Sequence, residues 1–252
     1  GQFNGTSGYE EAAAQGLIAG INAALKLQGR PPFILTRDTS YIGTLIDDLV
    51  TKGTEEPYRV MTSRCEYRLL HRQDNADQRL THLGAAVGLV SQERLHQVEE
   101  KYAQVAREIR RLEGSGVPGS PALNAMLEAK GSAPVESSAR LADLLRRPQI
   151  GYADIAPFDA ARPELSAAVT EEVEIQIKYA GYLARQEKQV AEFRREESRL
   201  LPADIDYNAV TGLRLEAREK LSQIRPVSIG QASRISGVSP SDIAVLLIYL
   251  AG

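Results

Sequence analysis

The chain has 252 residues, room for one large or two small domains, and its 43% hydrophobic content, four Phe and no Trp favour helices over a sheet-rich sandwich. A net charge of -3 excludes global attraction to nucleic acid and confines any such role to local patches. Cys65, the sole cysteine, excludes an internal disulfide framework or a cysteine-built zinc site and fits a reducing cytoplasm, and there is neither a signal peptide nor an apolar run approaching the roughly 20 residues of a membrane span.

Gly1 is not a methionine and residues 1–5 read as the middle of a site, so upstream residues are expected. A Gly-rich loop over 1–8 leads into a helix running to about Leu27. Ser7 as N-cap with Glu10 three residues on reads as a capping box, and Glu10 and Glu11 suit the positive end of the helix dipole. The surface of this helix is small: Ala12, Ala13, Ala14, Gly16, Ala19, Gly20 and Ala23. A glycine inside a helix costs about 1 kcal/mol, so another backbone is expected to pack against it closely. Gly29, Pro31 and Pro32 end the element.

Residues 40–50 predict a short helix stopped near Gly53. Over 57–72 the apolar spacing is mixed, and strand and helix both stay open. Asp74 or Asn75 caps a further helix toward Leu83. The clearest helix covers 91–113, where Leu95, Val98, Tyr102, Val105, Ile109 and Leu112 form one apolar stripe. A Gly/Pro/Ser-rich break at 114–119 opens a linker-like stretch to about Ser138 with a weak helix at 122–130, and a short helix at 141–147 ends at Pro148. Residues 173–177 alternate like a strand, yet only Gly181 interrupts their run into the helical 182–200, so one long helix is expected. The tail predicts three helices, at 213–224, at 229–235, and after Ser239, with Pro240 at N1 and Asp242 at N3.

The opening loop and helix aim free N–H groups and a positive dipole at an anion or an electron-rich ring; the alternative is an ordinary capped helix packed in a core. Gly114, Gly116 and Gly119 match G-x-G-x-x-G, but no strand precedes them and Pro118 sits inside, so this is no dinucleotide fingerprint and Gly114 is read as a helix C-cap. Arg59, Arg64, Arg68, Arg72 and Arg79 lie among Tyr58, Tyr67, His71 and His82. If helical, Arg64, Arg68 and Arg72 share one face suited to phosphates and unpaired bases; the alternative is a solvated face paired to Glu66, Asp74 and Asp77. Lys178, Arg185, Lys188, Arg194, Arg195 and Arg199 alternate with glutamates in the manner of a salt-bridged surface helix.

Residues 229–240 have the outline of a helix-turn-helix, but the helix after Ser239 carries Ala244, Val245, Leu246, Leu247 and Ile248 and no base-reading side chain, which favours a docking module over DNA binding. His71, His82 and His96 lack metal-ligand spacing. Arg64 and Arg68 beside Cys65 suit a lowered thiol pKa, although a lone cysteine is more often inert.

Together these segments are more specific than any of them alone. Residues 1–16, GQFNGTSGYEEAAAQG, resemble the flavin-contacting segment of the MnmG (GidA) family. The same order of blocks continues through Tyr41-Ile42-Gly43, Thr51-Lys52-Gly53, Glu56-Pro57-Tyr58-Arg59, Thr62-Ser63-Arg64, Glu66-Tyr67-Arg68-Leu69 and Asp74-Asn75-Ala76-Asp77. It resumes in Lys178-Tyr179-Ala180-Gly181-Tyr182 with Arg185-Gln186, Ile205-Asp206-Tyr207 and residues 230–238, while 114–165 matches least.

The resemblance implies a mainly α chain, a C-terminal helical domain following the last helix of an FAD-binding α/β domain. The expected divisions are 1–28 for the end of the FAD domain, 29–90 for a basic connection, 91–200 for a helical domain with its linker near 114–138, and 201–252 for a three-helix docking subdomain. It also implies FAD, NADH and methylenetetrahydrofolate as carbon donor. The implied activity places an aminomethyl or carboxymethylaminomethyl group on position 5 of the tRNA wobble uridine, performed by a cytoplasmic homodimer with the GTPase MnmE. Carried over by residue, Gln2, Asn4, Gly5, Thr6, Ser7 and Gly8 meet FAD, and Arg64, Arg68, Arg72, Arg185, Lys188 and Arg234 meet tRNA or partner. The family's dinucleotide fingerprint and proposed catalytic cysteines lie upstream of these residues, and Cys65 stands where alanine is frequent, so this stretch alone is expected to be inactive. The competing class is a non-enzymatic helical module that binds tRNA or DNA or docks a protein.

Overall fold

The computed structural model describes residues 1–251. Among them, in chain order, run the helices α1 (Tyr9–Leu27), α2 (Tyr41–Thr51), α3 (Ala76–Ala86) and α4 (Gln92–Gly114). Strand β1 (Gly116–Pro118), α5 (Pro121–Ala129), strand β2 (Ser138–Arg140), α6 (Leu141–Leu145) and α7 (Ala167–Glu197) follow. The chain closes with α8 (Leu215–Ile224), α9 (Ile229–Ser233) and α10 (Pro240–Ala251). The fold is mainly α, as its composition requires. Two compact units divide it, residues 1–71 with 185–252, and residues 72–184; α7 gives its first part to the latter and its last part to the former.

In the first unit, α1 starts one residue later than the capping-box expectation. The N-cap is Gly8, and Ser7 instead donates its hydroxyl to the Tyr58 carbonyl at 3.3 Å. A Cβ at position 8 would lie 1.7 Å from the Glu11 carboxylate folded over it, so any larger residue there displaces that carboxylate. The small face of α1 does not meet a close backbone: around Gly16 and Gly20 nothing lies within 4 Å. Gly29, with φ of 65°, turns the chain out of the helix, and the Arg30 N–H closes back on the Leu25 carbonyl at 2.9 Å.

Ser40 caps α2 by accepting the Gly43 N–H at 3.0 Å. Residues 57–72 are neither of the two forms left open. Tyr58 forms a single parallel bridge with Thr6, Thr62–Arg64 make a 3₁₀ turn, and turns continue to residue 70. Arg64, Arg68 and Arg72 therefore share no helical face. Backbone and side chains share the pairing: the Leu70 and His71 N–H groups donate to the Tyr67 carbonyl, Gln186 also accepts the Leu69 and Leu70 N–H groups and donates to the Glu66 carbonyl, and Arg37 donates to the Arg64 carbonyl.

The tail forms its own core of Leu201, Ile205, Tyr207, Val210, Leu221, Ile229, Ala232, Ile235 and Leu246. Ser239 caps α10 as expected by accepting the Asp242 N–H at 3.3 Å, and Asp242 completes a capping box by accepting the Ser239 N–H at 2.8 Å.

In the second unit the stretch read as a linker is folded. β1 and β2 pair antiparallel, Ser120 caps α5 on the Leu123 N–H, and Leu123 and Leu127 are fully buried with Leu112, Leu141, Leu144 and Val173. Its Gly and Pro residues punctuate turns rather than prevent packing; Gly119 lies where a Cβ would meet the Val135 carbonyl at 2.6 Å. Gly114 is the last residue of α4, and Ser115 is the C-cap.

Candidate functional site

The opening loop is built by its neighbours before it can present anything. Residues Gln2–Asn4 make a 3₁₀ turn, and Gly5, with φ of 83°, reverses the chain. The Gly5 carbonyl accepts the Tyr58 N–H at 2.7 Å, and the Ser7 N–H donates to the Tyr58 carbonyl at 2.9 Å. Buried Gln15 reaches back from α1, donating to Thr6 Oγ1 at 3.1 Å while accepting from the Asn4 amide at 2.9 Å. Of the six carried-over loop residues, Gly5, Thr6 and Gly8 thus shape the loop from within, whereas Gln2, Asn4 and Ser7 are exposed, Asn4 with its amide on Gln15 and Ser7 with its hydroxyl on the Tyr58 carbonyl.

The same geometry decides what the loop can bind. The Glu11 carboxylate occupies the first turn of α1 and accepts the Val60 N–H at 2.8 Å. That N–H lowers the Glu11 pKa, so the group is charged at neutral pH. An anion such as a pyrophosphate would meet this carboxylate at the helix N-terminus, and the loop does not fit one. Exposed on this loop are Gln2, Asn4 and Ser7, polar but uncharged. Asn4 and Gln15 also line an open cleft with Ile18, Ala19, Ile46, Leu49 and Val50.

Beneath the loop lies an ionic network that sequence reading missed. Arg37, with a relative exposure of 2%, pairs with Asp48 at 2.7 Å, Asp47 at 3.1 Å and Glu66 at 2.8 Å. Tyr58 donates its hydroxyl to Asp48 at 2.8 Å, and burial followed by the Asp48 charge raises its pKa well above the usual phenol range. Burial opposes ionisation of Asp48, but bonds from Lys52, Tyr58 and Arg37 outweigh it and hold the group below its ordinary pKa. No periodicity marks an arginine for the interior, so nothing in residues 36–39 signalled this role.

The basic candidates separate into two groups. Arg64 is exposed and its guanidinium lies 4.5 Å from the centre of the Tyr58 ring. Arg68, Arg185 and Lys188 are exposed as well. Arg234 is instead engaged: it pairs with Asp47 at 2.8 Å and Glu197 at 2.5 Å and lies 5.3 Å from the centre of the Phe193 ring. It ties α9 to α2 and α7. Arg72, in the second unit, pairs with Asp74 at 2.8 Å. Gln186, named only as part of a motif, is the residue that holds the Glu66–Leu70 turn against α7.

Cys65 is buried, 3.2 Å from His71 Nδ1, and burial pushes its thiol pKa up. The neighbouring arginines do not activate it, because Arg64 stacks on Tyr58 and Arg68 is in solvent.

A mainly helical chain that opens with a hydrogen-bonded Gly-rich loop and carries exposed arginines on a turn held by Gln186 is, by class, a helical domain following a loop and helix. Three family models match in sequence order: Glucose inhibited division protein A over residues 1–31, the tRNA modifying enzyme MnmG/GidA C-terminal helical domain over 92–187, and the MnmG/GidA C-terminal helical bundle over 189–252. The chain belongs to the MnmG/GidA family. It is 55% identical over 250 residues to the tRNA uridine 5-carboxymethylaminomethyl modification enzyme MnmG of Caldicellulosiruptor saccharolyticus, covering 99% of this chain and 40% of that protein. The enzyme of the same name from Latilactobacillus sakei is 52% identical, again with 99% and 40% covered. The structure of Aquifex aeolicus GidA in its form II crystal superposes with a TM-score of 0.86 at 43% identity, covering 100% of this chain and 39% of that one. The chain thus spans about two fifths of the length of the relatives it matches.

Proposed function

We propose that this chain is the C-terminal portion of a cytoplasmic enzyme that adds an aminomethyl or carboxymethylaminomethyl group to position 5 of the tRNA wobble uridine, acting as a homodimer with the GTPase MnmE. The observation that carries this reading is a Gly-rich loop held by Tyr58 and Gln15, in a chain 55% identical to an enzyme of that printed name. FAD, if bound, would supply the redox chemistry that links NADH to a carbon from methylenetetrahydrofolate. This chain's part is to place Gln2, Asn4 and Ser7 along the polar edge of the flavin ring, with the pyrophosphate held elsewhere in the protein.

Residues 1–28 then close the FAD domain, 29–90 carry the arginines that meet tRNA, 91–200 form the helical body, and 201–252 dock the partner. Arg64, Arg68, Arg185 and Lys188 remain the candidates for RNA contact; the pairing of Arg234 and Arg72 suits them to holding the fold. The module-only alternative has no base-reading side chain on α10, whose exposed residues include Ile248 and Tyr249.

The test is a protein of the relatives' full length, carrying visible flavin bands and assayed on unmodified tRNA by nucleoside mass spectrometry. Flavin bands with the modified uridine support the proposal; a flavin-free protein inactive on tRNA overturns it. In the same protein Arg64→Ala/Arg68→Ala should weaken tRNA binding and lower the slope of log affinity against log salt by about two, one for each phosphate no longer neutralised. An unchanged slope removes both arginines from the interface.

A further inference from the structure

We infer that the cleft between the first turns of α1, the start of α2 and residues 59–60 seats the target base: the wobble uridine leaves the anticodon loop, and its pyrimidine ring enters between α1 and α2. The inference rests on the reading of this chain as part of a tRNA uridine-modifying enzyme, and deepens it by giving the substrate's base a place.

The cleft lies wholly within the first unit and has a volume of about 250 Å³. That is below the roughly 300 Å³ at which clefts begin to hold drug-sized ligands, so it suits one ring and not a whole dinucleotide. Its walls are mostly apolar: Ala14 from α1, Ile42 and Leu45 from α2, and Val60. Tyr41 adds an aromatic wall, its ring set edge-on to His71 with centroids 5.8 Å apart. A planar base removed from its stack regains contact on such walls.

The polar groups select the ring. Two carboxylates, Glu10 and Glu11, line the cleft. Glu11 is buried and charged, anchored by the Val60 N–H at 2.8 Å. Glu10 is exposed, and its side chain has no hydrogen bond or ion pair among the described residues. Two negative charges repel a phosphate or any anionic ligand and favour a neutral ring with an N–H to donate. Uracil has one such donor, N3–H, on the edge that pairs in a duplex. Cytosine carries a lone pair at that position, which a carboxylate disfavours. Arg59 is exposed where it lines the same cleft, and supplies a cation for the phosphate of the entering nucleotide.

Place and cost agree with this assignment. Glu11 lines the cleft and folds over Gly8, the last residue of the opening loop, so a base seated here lies beside the loop read as meeting the flavin. A wobble base is unpaired in the anticodon loop, and entry costs only its unstacking.

The experiment uses a protein of the relatives' full length and a tRNA transcript with 4-thiouridine at the wobble position, irradiated and mapped by peptide mass spectrometry. Crosslinks are expected on residues 10–14, 41–45 or 59–60, and crosslinks confined to other peptides overturn the inference. Turnover on unmodified tRNA gives a second reading. Ala14→Leu, which fills the cleft, is expected to lower kcat at least about tenfold with KM within about threefold, because backbone phosphates dominate tRNA affinity. Glu10→Ala is expected to lower kcat/KM about tenfold, and Glu10→Gln to recover most of that loss, since its amide oxygen still accepts N3–H. Wild-type turnover in Ala14→Leu and Glu10→Ala means that the base does not enter, and the inference falls while the proposed function stands. If Ala14→Leu loses its flavin, the wild-type crosslink decides. If the wild-type protein modifies no tRNA, the proposed function fails and takes this inference with it.

Discussion

Arg37 shows how a single residue settles the architecture around the loop. An arginine with 2% exposure is kept inside only because Asp47, Asp48 and Glu66 surround its guanidinium. Replacing it by methionine fills most of the volume but strands carboxylates in the interior, and removing one partner of a buried pair costs about 3–5 kcal/mol. Arg37→Met is expected to lower stability by about that amount in a denaturant titration, with Tyr58 and the loop it anchors loosening first. A loss under about 1 kcal/mol would mean that Arg234 and Lys52 compensate the aspartates on their own.

Helical elements were legible wherever local chemistry decides them. The apolar stripe of α4, the capping box of α10 and the unbroken run through α7 all appear as read, because periodicity and caps act within a few residues. What escaped was decided by distant partners. The Glu66–Leu70 turn depends on Gln186, more than a hundred residues away, and the order of α5 depends on Leu123 and Leu127 meeting α4 and α6. A Gly/Pro-rich composition cannot announce such a core. The loop itself was half legible: its residues were named, but the division between builders and presenters needed Gln15 and Tyr58 in place.

The α10 cap also carries a pH dependence. Burial opposes the charge on Asp242, but Arg214 and Ser239 outweigh it and hold its pKa below the ordinary 3.8. A group depressed in the folded state stabilises above its unfolded pKa and loses that contribution as the pH falls through and below it. Stability should therefore decline as the pH drops from about 5 toward 2, and Asp242→Asn should flatten part of that decline while lowering stability at neutral pH. Matched pH profiles for the two proteins would exclude the cap as a source of acid sensitivity.

At the scale of the whole molecule the open face of α1 is the informative feature. Gly16 and Gly20 sit in the middle of a helix with nothing within 4 Å of where a Cβ would stand, so each costs helix stability without a packing return in this chain. The relatives are about two and a half times as long, since this chain covers 40% of them. A backbone from the remaining part of such a protein, packed against α1, gives these glycines a use. The sign of one substitution separates the cases. In the 252-residue chain, Gly20→Ala should stabilise by about 0.5–1 kcal/mol, the ordinary gain of alanine over glycine within a helix. In a protein of the relatives' full length the added methyl would enter an interface, and the same change should destabilise by about 1–3 kcal/mol, as overpacking does. Paired thermal melts give the answer. A reversal of sign places a close backbone on α1 in the full-length protein, and a gain in both leaves that face to solvent.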